Sequence, residues 1–188
     1  MTVKLLALSG SARRASHNLK LLQAMAVGAR AAGAEVTVID WAEFVLPVFN
    51  EDIEADTPAA AVKLKTLFAE AQGFLIAEPE YNGGYSALMK NAIDWVSRPL
   101  PGAPTGSVFK NKTVVIAGAT TGRWGAVRSL RQLREVLGYL GCIVLPDTLS
   151  VNEAGKAFDA DGKLLDTKTA ELAAATGSAL ARATAALV

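Results

Sequence analysis

The chain has 188 residues, 51% of them hydrophobic and 20% charged, and its formal net charge is +1. This composition excludes intrinsic disorder, which needs low hydrophobicity and unbalanced charge, and near-neutrality argues against a nucleic-acid module held mainly by phosphate contacts. No apolar run reaches the roughly 18 residues of a membrane span, and a single Cys142 can form neither an internal disulfide nor a thiolate metal cluster.

The first apolar run, residues 3–8, reads as a strand buried on both faces and leads directly into Ser9-Gly10-Ser11. It is too short for a signal peptide. Leu19, Leu22, Ala26 and Ala29 then recur at helical spacing until Gly33. Residues 35–40 alternate and are β-branched, predicting a second strand, and the proline-marked stretch 47–58 reads as loop. A helix over 62–71 and a buried strand over 73–77 follow. The second half repeats the alternation: a helix over 86–96, a Pro- and Gly-rich loop over 98–106 and a strand over 112–117. A helix over 126–140, a strand over 141–145 and a closing helix over 166–187 complete it. Short apolar strands alternating with helices predict an α/β fold with a parallel sheet covered on both faces. One domain over residues 1–188, without internal repeat or linker, is expected in the cytoplasm.

In such a sheet, ligands bind beyond the carboxyl ends of the strands, near the point where strand order reverses. The loops after Leu8, Ala77 and Ala117 are therefore the candidates. The first, residues 10–18, brings two serines, an asparagine, an arginine pair and free backbone N–H groups to a helix N-terminus. Those are the fixed donors and positive charge that hold a phosphate. It lacks both the dinucleotide G-x-G-x-x-G and the P-loop G-K-[ST], which points to a phosphomonoester. Ser16 or Asn18 capping the helix, with both arginines solvated, accounts for the same residues, and His17 reads as a surface residue of the first turn.

The second loop, residues 78–85, carries Pro79, two glycines suited to close backbone approach, and Tyr81 and Tyr85. Beyond it Trp95 reads as packing and Asp94 as structural or as a surface ion pair. The third loop, residues 118–125, holds three glycines, two threonines, Arg123 and Trp124, which suit a planar ligand with polar edges. Arg128, Arg131 and Arg134 recur at helical spacing, as on a solvated or subunit-contact face. With one histidine and one cysteine, the chain lacks the side chains for a Ser-His-Asp set or a His/Cys metal site. An enzyme here would most simply rely on a cofactor.

At these residues the chain resembles the NAD(P)H-dependent FMN reductase family, the flavodoxin-like group that includes chromate, quinone and azo-dye reductases. The resemblance rests on Gly10-Ser11-Ala12-Arg13-Arg14-Ala15-Ser16-His17-Asn18 and on Pro79-Glu80-Tyr81-Asn82 with Lys90-Asn91-Ala92-Ile93-Asp94-Trp95. It covers nearly the whole chain, and it implies a flavodoxin-like three-layer sandwich whose five-stranded parallel sheet has the order 2-1-3-4-5. It also implies that Ser11, Arg13, Ser16 and Asn18 hold the FMN phosphate. Pro79, Glu80, Tyr81, Asn82 and Gly83 would border the isoalloxazine, and Thr120 and Gly122 its far edge or the ribityl chain. The implied activity passes hydride from NADPH or NADH, through FMN, to a small-molecule acceptor: a quinone, free flavin, azo compound or metal oxyanion. A homodimer or homotetramer is expected, with Tyr85, Trp124 and the arginine-bearing helix at subunit contacts, and neither nucleic acid nor membrane as partner. The family pattern often has an aromatic or polar residue, a serine and a proline after Asn82, where Gly83, Gly84, Tyr85 and Ser86 stand here. A flavodoxin-like electron carrier and a flavin-sensing interaction protein are the alternatives; carriers are commonly strongly acidic, and this chain is not.

Overall fold

The computed structural model describes residues 2–188. Five strands, β1 (Lys4–Ser9), β2 (Glu35–Val38), β3 (Gly73–Ala77), β4 (Thr113–Ala119) and β5 (Ile143–Val151), form one parallel sheet in the order β2-β1-β3-β4-β5. The helices are α1 (His17–Ala31), α2 (Ala59–Glu70), α3 (Ala87–Ser97), α4 (Val127–Tyr139) and α5 (Thr167–Ala185).

The period-2 alternation of the strands splits their apolar side chains between two cores. Leu6, Leu8, Phe74, Ile76 and Ile116 face α2, α3 and α4, while Leu5, Ala7, Leu75, Val115 and Ala117 face α1 and α5. The central strands β3 and β4 are buried throughout, as continuous apolar runs in a covered parallel sheet should be. Each Leu, Ile or Phe fully buried there contributes about 1.5–3 kcal/mol.

β5 departs from the predicted span of 141–145. Its pairing with β4 is irregular, so that Val144 lies opposite Val114 while Thr148 lies opposite Ile116. Pro146 has no N–H to give a ladder and sits in this bulge; the strand then resumes in a polar stretch that carries little strand signal. The proline-marked loop is better ordered than its composition suggests. Pro47 O accepts from Trp95 Nε1 and Asn91 Nδ2, each at 2.9 Å, and Phe49 meets the Trp95 ring edge-on. Trp95 is packing, as expected, and Asp94 pairs with Lys90 on the surface of α3.

Candidate functional site

At the carboxyl end of the sheet the loops after β1, β3 and β4 enclose two adjoining cavities. The first, of about 300 Å³, is lined from the β1–α1 loop by Ser11, Arg13, Ser16 and Asn18. Across from them stand Pro79, Glu80, Tyr81 and Thr120. The second, of about 440 Å³, shares Glu80 and Thr120 and adds Asn82, Gly83, Gly122 and Trp124. All eleven residues named from the sequence thus meet at these two cavities. A third cavity, of about 500 Å³, lies on the β2 side of the same loop, against Asp40 and Trp41.

The first cavity is built at the N-terminus of α1. Ser16 caps the helix, its Oγ accepting from Leu19 N at 3.2 Å, and its own O–H stays available to a ligand. The Ser11 hydroxyl makes only a long contact, accepting from Arg13 N at 3.4 Å. Asn18, which lines the same cavity, is also a structural anchor. It is buried, donating from Nδ2 to Ala119 O at 2.9 Å and accepting from Ala119 N at 2.8 Å. Its amide pins α1 to the end of β4, while Ser11, Arg13 and Ser16 line the cavity beside it.

Glu80 is likewise not free. Its Oε2 accepts from Arg128 N at 3.0 Å and Ser129 N at 3.4 Å, and its Oε1 from Arg128 Nε at 2.7 Å. Burial would raise this carboxyl, but the Arg128 guanidinium and the two amides outweigh it and hold it below the usual carboxylate range. Glu80 therefore stands at the start of α4, where the helix dipole favours negative charge. Arg128, read from spacing as solvated, becomes a wall of the second cavity. Tyr81 and Gly84 exchange backbone hydrogen bonds of 3.0 and 2.9 Å around Asn82 and Gly83, whose φ values are 52° and 79°. This is the geometry of a two-residue I′ turn, which Asn-Gly favours. Tyr85 packs against the α3 side of the core, so the exposed aromatics of these loops are Tyr81 and Trp124.

Behind both loops lies Glu78, a residue sequence reasoning passed over. Its side chain is completely buried at the end of β3, and Oε1 accepts from Ser86 N at 2.6 Å. Ser86 in turn caps α3 through Met89 N at 3.1 Å, so Glu78 supplies across the fold the acid that a capping box carries at its third residue. Oε2 has no partner, and burial pushes the carboxyl up to about 7. The carboxyl lies directly against Gly10, where a Cβ would fall 2.0 Å from Oε2. Gly10 is required by this contact rather than by a left-handed turn. Trp41, also missed, donates from Nε1 to Ser9 O at 2.5 Å and supports the loop from the β2 side.

The donor set fits a phosphate. Hydroxyls, a guanidinium and a helix N-terminus converge on one cavity, which is also lined by His17, whose Nδ1 is buried without a partner. A parallel sheet of this order, with its site at the ends of β1, β3 and β4, defines the flavodoxin-like class. FerB, a flavoenzyme NAD(P)H:(acceptor) oxidoreductase from Paracoccus denitrificans, superposes with a TM-score of 0.81 at 26% identity over 99% of both chains. The chain belongs to the NADPH-dependent FMN reductase family, whose model matches residues 3–156. It is 38% identical over 173 residues to an NAD(P)H-dependent FMN reductase of Pseudomonas aeruginosa, covering 90% of this chain and 89% of that one. With a 2-hydroxy-1,4-benzoquinone reductase of a Burkholderia species it shares 31% identity over 175 residues, again 90% and 89%.

Proposed function

We propose that the chain is an NAD(P)H-dependent FMN oxidoreductase that reduces quinones. The observation that carries this reading is the meeting of the phosphate-suited β1–α1 loop with the β3 and β4 loops across two adjoining cavities. Ser11, Arg13 and Ser16 bind the phosphate at the positive end of α1. The backbone of Pro79, Tyr81, Asn82 and Gly83 borders one edge of the flavin ring, and Thr120 and Gly122 the other. Bound there, FMN supplies the hydride-accepting and hydride-donating chemistry. Glu80, tied to Arg128, contributes its backbone and fixes α4 to the loop.

Tyr81, 57% exposed, and Trp124, 72% exposed, flank an open face suited to flat molecules. That face takes NADPH or NADH and then a small-molecule acceptor in turn. The same exposed aromatics, with Val127 at the start of α4, are the surface on which a second copy would close the site as a homodimer or homotetramer. On this reading residues 1–188 are one cytoplasmic FMN-binding domain. The similarity to a quinone reductase supports the acceptor class.

The purified protein should be yellow, and NADPH should bleach it quickly on rapid mixing; slow bleaching would mark an electron carrier. Arg13→Ala combined with Ser16→Ala should lose flavin on dilution. Full flavin occupancy in that double variant would overturn the phosphate assignment.

A further inference from the structure

The first cavity is lined in part by His17, one of whose ring nitrogens the fold leaves unsatisfied. His17 Nδ1 is buried without a hydrogen-bond partner, although Asn18 beside it is tied to Ala119 by two hydrogen bonds. An unpaired buried polar group is costly, and each one in a native fold calls for an explanation such as a missing partner.

The imidazole is held rather than free to turn away. It is the first residue of α1, and its ring stacks on Phe158 of the β5–α5 connection, with centroids 5.8 Å apart and planes 13° from parallel. Lys20 Nζ lies 5.7 Å from the centre of the same Phe158 ring. The ring thus stands in the wall that it shares with Ser11, Arg13 and Ser16.

Burial first, then Arg13 of the β1–α1 loop and Lys20 of α1, keep the imidazole below its ordinary pKa of 6.5. Phe158, packed on it from the β5–α5 connection, is uncharged. Glu80 lines the cavity from the β3–α3 loop, but its carboxylate is engaged by Arg128. A phosphate seated between Arg13 and this ring reverses that field, because a nearby opposite charge favours the charged imidazole.

Resting on the cofactor reading above, we propose that His17 is a further ligand of the flavin 5′-phosphate, gripping it as imidazolium and drawing a proton from solvent as FMN seats. FMN affinity then rises as pH falls, by a factor of about ten for each pH unit through which phosphate lifts the imidazole's titration. The second ionisation of the phosphate, near ~6, pulls the other way, so a His17 variant is the necessary reference.

The test is calorimetric titration of flavin-free protein with FMN at about pH 7, in two buffers of different ionisation heat, which counts protons. Wild type should take up a substantial fraction of a proton per FMN, and none with riboflavin, which lacks the phosphate. His17→Phe keeps an aromatic ring on Phe158; it should take up none and bind FMN about tenfold more weakly near pH 6.5. His17→Asn gives the same comparison with a neutral polar group if the Phe variant does not fold. Equal proton counts in wild type and variants, with FMN bound by all, would overturn the proposal and leave the cofactor reading standing. Failure of the wild type to bind FMN would overturn both.

Discussion

Replacing Glu78 by Gln should make the protein more stable above neutrality while leaving it nearly unchanged in acid. The Glu78 carboxyl is raised by burial from 4.5 to about 7, so the folded chain holds a proton that the unfolded chain releases across that window. The group's contribution is fully present below pH 4.5 and declines as pH climbs to about 7. At roughly 1.4 kcal/mol per pH unit, the loss comes to about 3 kcal/mol, a large part of the roughly 5–15 kcal/mol that holds a domain together. The amide of Gln is neutral throughout and can keep the bond that Oε1 accepts from Ser86 N. Urea unfolding of flavin-free wild type and Glu78→Gln, at about pH 5 and about pH 8, reads the difference directly. The advantage of the variant should grow by up to about 3 kcal/mol between the two. Parallel stability curves for the two proteins would show that Glu78 is ionised in the fold at neutral pH and refute the argument.

Other consequences can be checked alongside it. Asn18→Ala should cost about 2–3 kcal/mol in urea unfolding, because it leaves the buried Ala119 N–H unpaired; it should also weaken FMN binding by loosening α1 from β4. Cys142, whose thiol burial pushes up to about 12 although Lys112 opposes the shift, should resist thiol reagents in the native protein at about pH 8 and react at once in denaturant. Fast labelling of the native protein would contradict that burial.

Much of the fold was legible because apolar period and turn residues are local signals. The range predicted for β3 is the range observed, and α3 and α4 differ by a residue at their ends. β5 reads as ending at Leu145, and only pairing with β4 reveals that the strand resumes beyond Pro146, which has no N–H to give a ladder. The site's membership was legible from its loops; its wiring was not. Arg128 looks solvated at helical spacing until Glu80, 48 residues earlier, is placed beside it. Glu78 ends a strand as many acids do, and nothing near it in sequence says that Gly10 and Ser86 will close over it. His17 reads as a first-turn surface residue because Phe158, which holds it, is brought in from beyond β5.

The contact between Gly10 and Glu78 also restricts how relatives of this protein can diverge. A side chain at position 10 would need the space that Oε2 occupies, so neither position can drift alone. Shortening residue 78 opens room at position 10, but it also leaves the N–H of Ser86 without its acceptor. A lineage that loses the acid should therefore change position 86 as well, most simply to proline, which has no N–H to satisfy. Position 10 and the distant pair 78 and 86 are predicted to evolve as a unit, and the loop that meets the phosphate and the loop that meets the ring inherit that linkage.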